Sequence, residues 1–208
     1  MKCLTIVDVI LVDAIGVLVA ISAFLIFMVA VMLMVQKVRE IVVNAKRRKE
    51  TDMEQLQKDL QFMRMAREVG TRSKCSSRQI GVVLVKDGSI VSEGYNGAPR
   101  GSDLCQDPTQ PCRRREMGFK SGEGLEQCPA VHAEMNALLQ AARNGIATKG
   151  TTMYAFCCRP CKWCVSMMIN AGVARLVHLE LPVYDELSGT LLDESDIAVA
   201  TVSEGQLP

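Results

Sequence analysis

The chain has 208 residues, room for one domain of ordinary size with roughly forty to sixty residues to spare. Its 24 basic and 23 acidic residues leave a net charge of +1, which excludes a molecule-wide field attracting a polyanion and favours a small substrate. Aromatic residues make up only 4%, leaving few platforms for stacking single-stranded nucleic acid, so a nucleic-acid partner is not expected.

The surplus sits at the N-terminus. Residues 14–35 carry no charged side chain and are interrupted only by Gly16 and Ser22. At about 1.5 Å per residue, a run of this length matches a hydrocarbon core of about 30 Å. A transmembrane helix is therefore expected over 14–35, within an N-terminal segment 1–35. A buried core helix would be shorter and carry a polar stripe. A cleaved signal peptide fits less well, because Lys2 is the only early positive charge and no small-x-small site closes the run. After the span come Lys37, Arg39, Lys46, Arg47, Arg48 and Lys49 against Glu40, whereas Lys2, Asp8 and Asp13 precede it. That asymmetry predicts a single-pass membrane protein whose remainder is cytoplasmic. The basic cluster can also meet anionic headgroups of the lipid bilayer, at about 1 kcal/mol per residue near the surface.

Residues 36–69 contain neither proline nor glycine, so one helix or two nearly continuous ones are expected. Val35, Val38, Val42 and Ala45 recur at spacings of 3, 4 and 3, and Met53, Leu56, Leu60 and Met63 repeat them in a shifted phase. The phase breaks over 46–52. This predicts a basic helical stalk over 36–56 and a soluble domain over 57–208.

In that domain, 80–85 is an apolar run of buried-strand type, 86–89 a hairpin signal and 90–95 the returning strand. Residues 96–129 read as a long loop rich in Gly, Pro, Cys and charge, which needs something to hold it. A helix over 132–144, a strand over 151–156, a helix over 161–171 and a strand over 173–179 follow. Strand, helix and strand in sequence imply parallel pairing through a right-handed crossover, and an α/β class with helices on a mixed sheet. His178 is a strand residue without catalytic duty. The acidic tail after Leu181 is assigned no element.

Nine cysteines, an odd number mixing Cys-x-x-Cys with singles, read as metal ligation in a reducing compartment rather than a disulfide framework. That agrees with the orientation drawn from the flanking charges. His132 and Glu134 open one predicted helix, and Cys161 and Cys164, preceded by Pro160, open the next. Spacing i, i+3 puts both thiolates on one helix face. Two thiolates and an imidazole form a soft set suited to Zn2+, and three protein ligands leave a fourth tetrahedral position for water. Glu134 is then free to carry protons. The order of the four residues matches the signature of zinc-dependent base deaminases.

With these motifs stand Ser73-Lys74-Cys75, Arg78-Gln79-Ile80-Gly81, Gly94-Tyr95-Asn96-Gly97-Ala98-Pro99-Arg100-Gly101 and Ala141-Ala142-Arg143-Asn144-Gly145. Together they make residues 60–179 resemble the deoxycytidylate (dCMP) deaminase family of the cytidine deaminase superfamily. The resemblance implies a three-layer domain and conversion of dCMP to dUMP with release of ammonia. It implies that Asn96 contacts the nucleotide sugar and that the main chain of Ala133 reads the base edge. It also implies a homo-oligomer, dCTP as an effector and a second, structural zinc held by Cys75, Cys105, Cys112 and Cys128. No glycine-rich nucleotide loop precedes a helix, so isolated cations must meet the phosphate; Arg78, Arg100, Arg113, Arg114 and Arg115 are candidates.

Two features depart from the family. Phe156-Cys157-Cys158-Arg159 holds one residue more than its pattern beside the pocket, where Cys157 and Cys158 read as spectators, and the family does not ordinarily carry a membrane helix. The alternatives are a deaminase of another cytosine nucleotide, nucleoside or nucleic-acid base, and a nucleotide-binding membrane module with a signalling or scaffold role.

Overall fold

The computed structural model describes residues 6–105, 107, 109–120 and 123–207, with side chains from residue 17 onward except those of residues 20 and 23. Lys2 and Cys3 lie outside the described residues. The helices are α1 (Ile6–Gly70), α2 (Arg113–Glu116), α3 (Ala133–Arg143), α4 (Lys162–Asn170) and α5 (Glu186–Asp193). The strands are β1 (Gly81–Lys86), β2 (Ser89–Tyr95), β3 (Thr152–Ala155), β4 (Arg175–Leu179) and β5 (Ala198–Val202), with single 3-10 turns at Leu125–Gln127 and Glu204–Gln206. Contacts divide the chain into two units, Met1–Glu54 and Gln55–Pro208.

In the first unit α1 is long and apolar enough to cross a membrane, by length and composition, and its described side chains are exposed throughout. The shift of apolar phase over 46–52 does not interrupt the helix.

In the second unit a five-stranded mixed sheet runs in the order β2-β1-β3-β4-β5. β1 pairs antiparallel with β2 and β3, while β3–β4 and β4–β5 are parallel. The β1–β2 connection is two residues long, with Asp87 at φ 49° and Gly88 at φ 77°. Both positive values suit the tight hairpin turn that the twist of paired strands favours.

Both faces of the sheet are covered, which is why the central strands read as continuous apolar runs. Val82, Leu84, Met153, Ala155 and Leu176 face α3, α4 and α5, packing on Ala137, Leu138, Ala141, Val165, Met168 and Leu192. Their alternates Val83, Val85, Tyr154, Val177 and Leu179 pack on Leu60, Met63, Ala66 and Val69 of α1. The last turns of α1 are also tied down by buried charge. Asp59 accepts from Arg175 at 2.7 and 2.6 Å, from the Tyr154 hydroxyl at 3.0 Å and from Gln55 at 2.9 Å.

The segment after Leu181, to which the sequence assigned no element, is structured. It folds as α5 and β5, and β5 extends the sheet beside β4. Leu192 and Ile197 enter one core and Val202 and Leu207 the other, so these four residues anchor the segment, while Val183, Tyr184, Leu187 and Val199 stay exposed. Among the described residues, the loop over 96–129 carries α2, one 3-10 turn and an isolated bridge from Gly97 to Val131.

Candidate active site

His132 is the N-cap of α3 and Cys161 the N-cap of α4, so both motifs sit where helices begin. Just before His132, Val131 exchanges main-chain hydrogen bonds with Gly97 at 2.8 and 3.2 Å. The Ser92 hydroxyl donates to the Ala137 carbonyl at 2.7 Å, and the Asn136 amide donates to the Tyr95 carbonyl at 2.8 Å. These bonds fix the first turns of α3 on β2.

His132 Nδ1 lies 3.5 Å from Cys161 Sγ and 3.4 Å from Cys164 Sγ, and the two sulfurs are 3.7 Å apart. Among the described residues this is the one group of His, Cys, Asp and Glu whose ligand atoms all fall within 4.8 Å of one another. The hydrogen bond with Cys164, supported by His132, brings the Cys161 thiol down to about 4. Cys164 is pushed the opposite way by the same hydrogen bond and by burial. The hydrogen bond with Cys161 raises His132. A thiolate, a second thiol and an imidazole converging on one point are donors of the kind zinc takes, so these residues fit a zinc ion.

Glu134 is 4% exposed, and burial raises its carboxyl above the usual range although His132 opposes the shift. Cys157 Sγ lies 3.9 Å from its Oε1. Glu134 and His132 border a cavity of about 310 Å³ whose other walls include Arg78, Asn96, Arg114, Cys158 and Tyr184. A buried carboxyl that holds its proton more tightly than usual, beside a metal-fitting cluster, can pass protons to a small molecule in that cavity.

The remaining expected residues divide. Asn96 reaches the cavity, but its amide also holds the 71–80 segment: Oδ1 accepts from Ile80 N at 2.8 Å and Nδ2 donates to Arg78 O at 2.9 Å. Ala133 is fully buried and is not among the lining residues. Arg78 and Arg114 line the cavity; the buried Arg114 donates from Nη1 to the Glu123 carbonyl and has no hydrogen-bond partner at Nε among the described residues. Arg100 lines a separate cavity of about 380 Å³ with Arg72 and Arg143, Arg113 lies by the cysteine-lined space, and Arg115 is exposed.

Cys75, Cys105, Cys112 and Cys128 do line one small cavity together. Burial and the neighbouring Cys128, Cys75 and Cys112 push the Cys105 thiol up. The four do not meet the mutual spacing of 4.8 Å that the His132 group meets. Cys157 and Cys158 also line the active-site cavity, as do Pro182, Val183 and Tyr184. Those last three were missed in the sequence. The available signal was Asp185, a helix N-cap residue directly after one of only three tyrosines.

Residues 56–180 match the family described as the cytidine and deoxycytidylate deaminase zinc-binding region. The chain is 32% identical over 139 residues to a deoxycytidylate deaminase of Schizosaccharomyces pombe, a match covering 67% of this chain and 42% of the relative. It is 36% identical over 125 residues to a deoxycytidylate deaminase of Mycobacterium phage D29, covering 58% of this chain and 92% of that one. The chain thus spans less than half the length of the yeast protein and nearly all of the phage one. Among solved structures it is similar to the dCMP deaminase of cyanophage S-TIM5 in complex with dCMP and dUMP, at TM-score 0.55 and 25% identity, covering 68% of this chain and 93% of that one.

Proposed function

The chain belongs to the cytidine and deoxycytidylate deaminase family, and from that premise we propose that it is a zinc-dependent hydrolase converting dCMP to dUMP and ammonia. The observation that carries this reading is the convergence of His132, Cys161 and Cys164 beside the buried Glu134 on the wall of one cavity. His132, Cys161 and Cys164 would hold the zinc, which supplies an activated water at neutral pH when bound. Glu134 takes one proton from the attacking water and delivers it to ring N3, then takes the second from the hydroxyl now on C4 and gives it to the departing amine, which leaves as ammonia. Its burial keeps the carboxyl basic enough for both transfers.

The mononucleotide is oriented by Arg78 and Arg114, the two of the five candidate arginines that line this cavity. Arg114 is 8% exposed with an Nε that has no partner among the described residues, and a phosphate oxygen would satisfy it. Asn96 stands where it can meet the sugar, and the Ala133 main chain supports recognition of the base. Cys75, Cys105, Cys112 and Cys128 would hold a second, structural zinc, which would tie down the 96–129 loop. The chain assembles as a homo-oligomer and takes dCTP as effector, whose triphosphate suits the cavity lined by Arg72, Arg100 and Arg143. α1 anchors the protein in the bilayer as a single pass, with the catalytic domain cytoplasmic.

Ammonia release from dCMP, dCTP, cytidine and single-stranded oligonucleotides by the full-length protein tests the substrate. dCMP should be turned over fastest; preference for an oligonucleotide, or no turnover of any cytosine compound, would overturn the reading. Glu134→Gln should abolish release while zinc stays bound, and retained turnover would remove the role given to Glu134.

A further inference from the structure

A pyrimidine in the active-site cavity needs a flat face to pack against, and the cavity offers few. Among the described residues Tyr184 is the only Phe, Tyr or Trp lining it, and the single tryptophan, Trp163, is 65% exposed and does not line it. Tyr184 lies in the segment between β4 and α5, outside the stretch that carries the metal ligands, and is 42% exposed at the mouth.

The residue after it fixes this placement. Asp185 Oδ2 accepts from the main-chain N–H of Lys162 at 2.8 Å, the first residue of α4 and the neighbour of Cys161. Its Oδ1 accepts from Ser188 N at 3.4 Å as the cap of α5. Its carbonyl accepts from the Ser188 hydroxyl at 2.6 Å and from Arg159 at 3.3 Å, and Arg159 Nε donates to the same hydroxyl at 3.0 Å. One aspartate therefore ties the tyrosine-bearing segment to the helix end that presents Cys161, so the two move together.

We infer that Tyr184 is the residue on which the substrate's pyrimidine ring stacks, and that Asp185 is the positioning residue that keeps it over the cavity. The inference rests on the cytosine-mononucleotide reading of the site. A base against an aromatic side chain is held mainly by its π face, so the hydroxyl is dispensable and the ring is not.

The test uses the full-length protein, comparing wild type with Tyr184→Phe, Tyr184→Ala, Asp185→Ala and the double variant that combines Tyr184→Ala with Asp185→Ala. KM and kcat are read on dCMP, dUMP affinity by calorimetry and zinc content by metal analysis. Tyr184→Ala should raise KM and weaken dUMP binding by about tenfold or more, the size of a lost base–aromatic stack, with kcat and zinc content little changed. Tyr184→Phe should stay near wild type. Asp185→Ala should raise KM in the same direction, and the double variant should be no worse than Tyr184→Ala alone, because both changes act through one ring. Losses that multiply in the double variant would overturn the positioning role. A Tyr184→Ala protein that matches wild type in KM and dUMP affinity would overturn the stacking role, as would a Tyr184→Phe protein as impaired as Tyr184→Ala. Wild type that binds dUMP without releasing ammonia sinks the proposed reaction while the dUMP comparison still decides Tyr184; wild type that does neither overturns both.

Discussion

A Cβ built on Gly94 would lie 2.3 Å from the carbonyl oxygen of Ala133. The amide nitrogen of Ala137 would be equally close, so β2 and the first turn of α3 meet with no room for a side chain. That turn carries Glu134 and follows His132. The Gly94-Tyr95-Asn96-Gly97 run thus sets the height of the catalytic helix over the sheet as well as bringing Asn96 to the cavity.

Gly94→Ala should consequently push α3 away from β2 and disturb both His132 and Glu134, the proposed zinc ligand and proton carrier. The expected cost is about 1–3 kcal/mol of stability, as for overpacking a filled core, together with a large loss of kcat. Urea denaturation and ammonia release measure the two effects. Wild-type values in both would show that the contact relaxes without reaching the site.

The Asp59 and Arg175 pair makes a prediction about pH. Burial tends to raise the Asp59 carboxyl, but hydrogen bonds from Arg175 and Gln55 and the Arg175 charge outweigh it, so the folded-state pKa lies below the usual value. A lowered folded pKa means stability that is fully present above the unfolded value of about 3.9 and lost as pH falls through the folded one. Wild type should be more stable than Asp59→Asn at neutral pH, and the difference should shrink progressively once pH drops below about 4. Arg175→Ala leaves the buried carboxylate unpaired and should cost about 3–5 kcal/mol at neutral pH. Denaturant midpoints collected from neutral to acid pH would show it; a gap between wild type and Asp59→Asn that widens on acidification contradicts the assignment.

The four cysteines that share one cavity predict two zinc ions per chain. Cys105→Ser should lower the content to one and destabilise the 96–129 loop toward proteolysis, while Cys161→Ser should remove the other ion and all turnover. One zinc in the wild-type protein would eliminate the structural site and leave these cysteines as free thiols.

How legible the molecule was in its sequence depended on how local each signal is. His132, Glu134, Cys161 and Cys164 sit at fixed short spacings on two helix starts, so their chemistry could be read without knowing what brings the helices together. The apolar runs 80–85 and 151–156 gave the sheet away because burial on both faces leaves no polar alternation. The arginines were harder: Arg78, Arg100, Arg113, Arg114 and Arg115 lie in irregular segments, where no periodicity says which way a side chain points, and only Arg78 and Arg114 line the site. α5 and β5 hid in an acidic tail because a few well-placed residues, Leu192, Ile197 and Val202, suffice to anchor them to the core. Tyr184 escaped notice because its role depends on Asp185 reaching Lys162 across 23 residues of sequence, a relationship that exists only in the fold.

In the N-terminal unit the described side chains from residue 17 to residue 54 are exposed, including Phe24, Leu25, Ile26 and Phe27, each at 58–71%. So much apolar surface on one helix requires either lipid or a partner, and the run length and following basic cluster fit lipid. Full-length protein should sediment with membranes and resist extraction by carbonate. A chain beginning at Glu54 should be soluble and keep its kcat, since the contacts of the second unit begin at Gln55, whose amide reaches Asp59. In sealed vesicles, protease should reach the catalytic domain only from the cytoplasmic face. Full-length protein recovered in the soluble fraction would overturn the anchor, and loss of activity in the shortened chain would show that α1 serves the site as well as the membrane.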